Sequence, residues 1–121
     1  MSTAEAQPRL ARGLDPQAAA VLFAALGDGT RLDLLWRLSR HGPGSIAELA
    51  AEAAVSRQAV TKHLKVLADA GYVRGARRGR EHIWRVQPRR FDEARACLDR
   101  ISREWDVALS RLKQFVEDPS D

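Results

Sequence analysis

The sequence predicts a mainly α chain with a small β-hairpin, an α+β class made of five helices plus a two-stranded hairpin. Three observations carry that expectation. Apolar residues recur at spacings of three and four through most of residues 14–118, in runs opened by capping residues and several of them closed by glycine. Between Tyr72 and Val86 the period switches to two. From Phe91 onward it returns to three and four in strict alternation, the signature of a long helix with a narrow apolar seam.

Residues 1–13, with Pro8 and Gly13, show no period and are expected to form a flexible N-terminal arm. Asp15 and Pro16 then supply an N-cap and a φ already suited to a first helical turn, so helix one runs through Ala18–Leu26 and stops at Gly27. Asp28 or Thr30 caps helix two, with Leu32, Leu35, Trp36 and Leu38 as its expected inner face and His41-Gly42-Pro43-Gly44 as its stop. Ser45-Ile46-Ala47-Glu48 matches a capping box, which opens a short third helix carrying Ile46, Leu49, Ala50 and Ala53 inward.

Ala54-Val55 turns the chain into Ser56, the cap of helix four over 56–70. Val60, Leu64 and Leu67 form its buried stripe, and Gly71 is its left-handed stop. A hairpin over 72–86 folds around Arg78-Gly79-Arg80. Because two strands alone are marginal in water, Val73, Ile83 and Trp84 are expected to anchor it on the helices. Pro88 opens helix five over 88–117, where Phe91, Ala94, Leu98, Ile101, Trp105, Ala108, Leu112 and Phe115 make the seam. A stripe that narrow and that long suits a second helix better than a closed core, so a homodimer is expected.

At 121 residues the chain fits one domain, placed at 14–118. A single cysteine, Cys97, closes no internal disulfide and supplies no zinc ligand set by itself. The polar start and the lack of a long apolar run predict a cytoplasmic protein with no membrane partner. Net charge is only +4, but residues 57–90 hold ten basic side chains against two acidic ones. Such a block inside a folded segment is the footprint of a polyanion-binding face.

Helices three and four, separated by a tight turn, form the arrangement that lays a second helix in the major groove of double-stranded DNA, with the hairpin as a wing. On helix four, Arg57, Gln58, Thr61, Lys62 and Lys65 avoid the buried stripe. Arg57 can fork to guanine, Gln58 can pair with adenine and Thr61 can touch a thymine methyl, while the lysines suit phosphates. The Ser56 hydroxyl and the helix amides around it favour a phosphate as well. Arg77, Arg78 and Arg80 surround the hairpin tip, within reach of a neighbouring minor groove or its phosphates. No nucleophile stands beside a base and no carboxylate cluster appears, so an enzyme is not expected.

These stretches resemble the ArsR/SmtB family of bacterial winged helix-turn-helix repressors over roughly residues 19–117. Phe23 to Leu32 is similar to the family's entry into helix two, with Gly29 where proline is usual. Ser45 to Ala50 resembles its third helix, Ser56 to Leu67 its recognition helix and Ala70 to Val73 its exit. The resemblance implies a repressor whose dimer, built from the first and last helices, grips an imperfect palindrome. Its DNA-binding candidates here are Ser45, Ser56, Arg57, Gln58, Thr61, Lys62, Lys65, Arg77, Arg78 and Arg80. The interface candidates are Leu22, Leu98, Ile101, Trp105, Leu109, Leu112 and Phe115.

Many family members sense metals, but the third helix here lacks the family's cysteine pair and Asp92–Asp106 lacks its histidines, so no metal or cofactor is expected. Trp105, Asp106, Leu109, Leu112 and Lys113 look like a metal-free branch whose effectors are mostly undefined. A thiol- or metal-responsive repressor and a non-specific architectural DNA-binding protein are the alternatives. Cys97 reads as a small buried hydrophobe, His63 as a residue beside Leu64 that packs or makes a backbone contact, and His41, His63 and His82 as isolated from any ligand set.

Overall fold

The computed structural model describes residues 15–117. The expected arm over 1–13 and the domain limits at 14 and 118 therefore lie outside the described residues. Along the chain run α1 (Pro16–Ala25), α2 (Gly29–His41), β1 (Gly44–Ser45), α3 (Ile46–Ala53), α4 (Arg57–Asp69), β2 (Val73–Arg78), β3 (Glu81–Val86) and α5 (Pro88–Glu117).

Capping chemistry sets most boundaries. The Asp15 carboxylate accepts from the Ala18 amide at 2.8 Å, and Asp28, rather than Thr30, caps α2 by accepting from Arg31. Ser45 and Glu48 form the reciprocal capping box of α3. Ser56 Oγ accepts from the Ala59 amide at 3.1 Å to open α4. At the other end of α4 the Tyr72 amide donates to the Leu67 carbonyl and the Gly71 amide to that of Ala68, a Schellman closure with Gly71 at φ +89°. The positive φ is what favours glycine there; a Cβ at Gly71 would also lie 2.5 Å from Arg90 Nε, at the movable end of that side chain.

The core gathers Leu22 from α1, Leu34, Leu35 and Leu38 from α2, Leu49 from α3, Val60, Leu64 and Leu67 from α4, Tyr72, Val73 and Trp84 from the sheet and its entry, and Ala94 and Cys97 from α5. The inner face of α2 differs from expectation. Leu34 is fully buried, whereas Leu32 and Trp36 are half exposed. Tyr72 belongs to the core rather than to a strand. Its hydroxyl donates to the Leu22 carbonyl at 3.0 Å, its ring packs on Phe91 at 4.9 Å, and burial pushes its pKa up to about 12.

The sheet has three strands in the order β1-β3-β2, all antiparallel, one more than the expected hairpin. Gly44 pairs with Trp84 and Ser45 with Ile83, so the two residues before α3 fasten the wing to the helices. Trp84 and Val73 are the buried anchors, and Ile83 is only partly covered. Gly79, at φ +65°, is the first of two loop residues and Arg80 keeps a negative φ, the pattern of a type II′ hairpin turn.

Helix α5 divides in two. Ala94 and Cys97 are buried, with Phe91 and Ile101 partly so, and every residue from 102 to 117 is exposed. The same apolar face that closes the core continues without cover through Trp105, Leu109, Leu112 and Val116.

Candidate nucleic-acid interface

The turn between α3 and α4 positions the whole site. Ala54 holds a left-handed conformation at φ 55°, where an L residue with a Cβ is strained by about 1–2 kcal/mol. That single residue reverses the chain between Ala53 and Ser56, and α3 then packs across the inner side of α4. With Val60, Leu64 and Leu67 facing inward, Arg57, Gln58, Thr61, Lys62 and Lys65 all stand exposed on the outer side. The structure thus brings those five together with Ser56 on one face. Ser56 is exposed, and while its oxygen accepts from Ala59 its hydroxyl proton is free to donate.

Ser45, grouped with the DNA contacts on sequence grounds, is not on that face. It is 3% exposed and its oxygen is committed to the capping box, so its side chain has no route to a ligand. Its place is structural. Arg77 and Arg78 close β2 and Arg80 occupies the turn, all exposed at the far end of the wing, with Glu81 opposite Arg78. Not all of the basic block is available: Arg90 is half-buried over Gly71 and paired with Glu93 at 2.9 Å.

The register adds a pair that sequence counting passes over. Arg74 and Arg85 stand directly opposite each other on adjacent strands, both exposed, and neither has an acidic partner among the described residues. Like charges in that position repel by a few tenths of a kcal/mol to about 1 kcal/mol. An anion between or beside them relieves that repulsion.

A second unanticipated feature ties the face to the rest of the molecule. Arg31 Nε donates to the Ala25 carbonyl at 2.7 Å and Nη2 reaches that of Ala24 at 3.4 Å, capping the end of α1. Its Nη1 lies 3.3 Å from His63 Nδ1 on α4, and Asp28 Oδ2 lies 3.6 Å from the same nitrogen. His63 is therefore a polar link between α1, α2 and α4 through the Arg31 and Asp28 side chains, where packing or a backbone contact was expected.

Of the expected interface residues, Leu98, Trp105, Leu109, Leu112 and Phe115 are exposed, each by more than half, and Ile101 is half-buried at the point where α5 leaves the core. Leu22 differs: it is 3% exposed inside the single chain and offers little surface to a partner. Cys97 is fully buried, and burial pushes its thiol up, opposite to the lowered pKa that a reactive thiolate needs. Among the described residues no three His, Cys, Asp or Glu side chains gather at metal-binding distance, and no helix is long and apolar enough to cross a membrane.

Comparison with known proteins fits this geometry. Residues 26–75, which run from the end of α1 into the first wing strand, match a helix-turn-helix domain family. The chain is 38% identical over 99 residues to the HTH-type transcriptional regulator Rv2034 of Mycobacterium tuberculosis, covering 82% of this chain and 89% of that protein. Among solved structures it is similar to an ArsR-like transcriptional regulator from Rhodococcus sp. RHA1, with a TM-score of 0.71 at 38% identity over 82% of this chain and 92% of that one. It is also similar to the AntR antimony-specific transcriptional repressor, with a TM-score of 0.58 at 32% identity over 76% and 84% of the two chains. Five helices, a winged sheet, a Ser56-capped α4 after a tight turn and these relatives place the chain in the ArsR family of winged helix-turn-helix transcriptional regulators.

Proposed function

We propose that the protein is a repressor that binds a palindromic operator as a homodimer, with α4 of each protomer in a major groove and the wing on the flanking backbone. The observation that carries this reading is the outer face of α4: Arg57, Gln58, Thr61, Lys62 and Lys65 are all exposed on one side of a helix whose other side is locked into the core. Arg57 and Gln58, at the N-terminal end nearest the DNA, read base edges. Lys62, Lys65 and Ser56 hold phosphates. Arg77, Arg78 and Arg80 meet the neighbouring minor groove or its phosphates. The distal half of α5, with Leu109 and Leu112 uncovered, supplies the partner contact. A repressor is favoured because AntR carries that description and because a dimer seated across a promoter occludes polymerase.

Two measurements test this. Enrichment from a random duplex library followed by titration at 50 and 200 mM salt should give a preferred sequence whose affinity falls about 1,000-fold or more across that range, as expected for roughly 6–10 phosphate contacts. Arg57→Ala or Gln58→Ala should cost about 1–3 kcal/mol on that sequence and relax the preference, whereas Arg78→Ala should weaken all duplexes alike. Equal affinity for random and enriched duplexes would instead identify a non-specific architectural protein.

A further inference from the structure

One side chain on the outer face of α4 has its hydrogen-bonding role fixed before any ligand arrives. Thr61 Oγ1 donates to the Arg57 carbonyl, one turn earlier, at 2.8 Å. A threonine hydroxyl has a single proton, and here it belongs to the helix backbone. The second substituent on the stiff, β-branched Cβ is the γ-methyl, and the residue is exposed. Thr61 also sits midway along the outer row, four residues after Arg57 and four before Lys65, a short side chain between two long cationic ones.

We propose that Thr61 is a specificity-determining residue that reads the 5-methyl group of thymine through its γ-methyl and donates no hydrogen bond to a base. The inference rests on the placement of α4 in the major groove proposed above. The thymine methyl is the one apolar feature of the major-groove edge, and it is what distinguishes thymine from cytosine or uracil by shape rather than by polar groups. Removing one methyl–methyl contact from water is worth about a 4-fold change in affinity for each half-site. The back-bonded hydroxyl keeps its lone pairs, so the competing role is acceptance from an adenine or cytosine amino group. The two roles demand opposite substitutions.

The test uses duplexes enriched from a random library by the wild-type protein. Each thymine of the enriched half-site is replaced singly by deoxyuridine, and Kd is measured for wild type, Thr61→Val, Thr61→Ser and Thr61→Ala, with thermal denaturation confirming that each variant is folded. At one thymine position, deoxyuridine should raise Kd about 4-fold for wild type and Thr61→Val, and about 16-fold when both half-sites are changed. Thr61→Ser and Thr61→Ala should not distinguish the two bases at that position. The proposal is overturned if no thymine shows a methyl preference that disappears in the serine and alanine variants, or if serine preserves sequence preference while valine abolishes it. Failure of the library to enrich any sequence overturns the DNA-reading function itself, and that failure appears before any deoxyuridine duplex is made.

Discussion

Tyr72 is the chain's only tyrosine, so its ionisation can be followed directly by absorbance. Buried against Phe91 with its hydroxyl on the Leu22 carbonyl, it has a folded-state pKa raised to about 12 from an ordinary value of 10.0. Because the folded value is the higher one, Tyr72 contributes stability that is complete below pH 10 and lost as pH rises toward 12. Alkaline unfolding and phenolate absorbance should therefore appear together in that window; ionisation near pH 10 in a protein still folded would contradict the burial. Tyr72→Phe should cost about 1 kcal/mol by denaturant titration, since the ring keeps its packing while one hydrogen bond is lost. Ala54 makes a prediction of opposite sign. Glycine occupies a φ of 55° without a Cβ penalty, so Ala54→Gly should stabilise the fold by about 1 kcal/mol and raise Tm by about 4 °C. A lower Tm would mean that the turn is not strained.

At the scale of elements, the wing trades stability for charge. Arg74→Glu places an acid opposite Arg85, which should raise the stability of the free protein by up to about 1 kcal/mol while weakening binding to every duplex. Weaker binding without the stability gain would show that the two arginines do not repel in the free wing. The capped helices were readable from the chain alone because their signals are local: Asp15, Ser45 and Ser56 each accept from an amide three residues on, as their spacing implies. The outer face of α4 was readable for the same reason, since it is what the stripe Val60-Leu64-Leu67 leaves over. What escaped was set by partners distant in sequence. Helix α2 has apolar residues around more than half its circumference, so periodicity alone does not say that Leu34 is buried while Leu32 and Trp36 are not. Strand β1 is two residues long, too short for any period, and exists because Trp84 and Ile83 pair with it. The burial of Ser45, the Arg74–Arg85 opposition and the Arg31–His63 link depend likewise on tertiary packing and register.

For the molecule as a whole, the decisive feature is a 30-residue helix that outruns its own core. In the proposed homodimer, the exposed apolar face over residues 102–117 is covered by the same face of a second copy. Leu109→Glu with Leu112→Glu should give a protein that sediments as a monomer at micromolar concentration yet keeps its helical circular dichroism, because neither residue touches the core. Its affinity for the enriched duplex should fall about 100-fold or more as the second α4 is lost from the complex. In the proposed dimer, two α4 helices held by one pair of α5 helices would also fix the distance between half-sites at about 10 base pairs, one turn of DNA. The most direct test is therefore to insert five base pairs between the half-sites of the enriched operator, which turns one of them to the opposite side of the duplex. Affinity should drop to that of a random duplex; unchanged affinity would contradict a paired, rigidly spaced reading of successive major grooves.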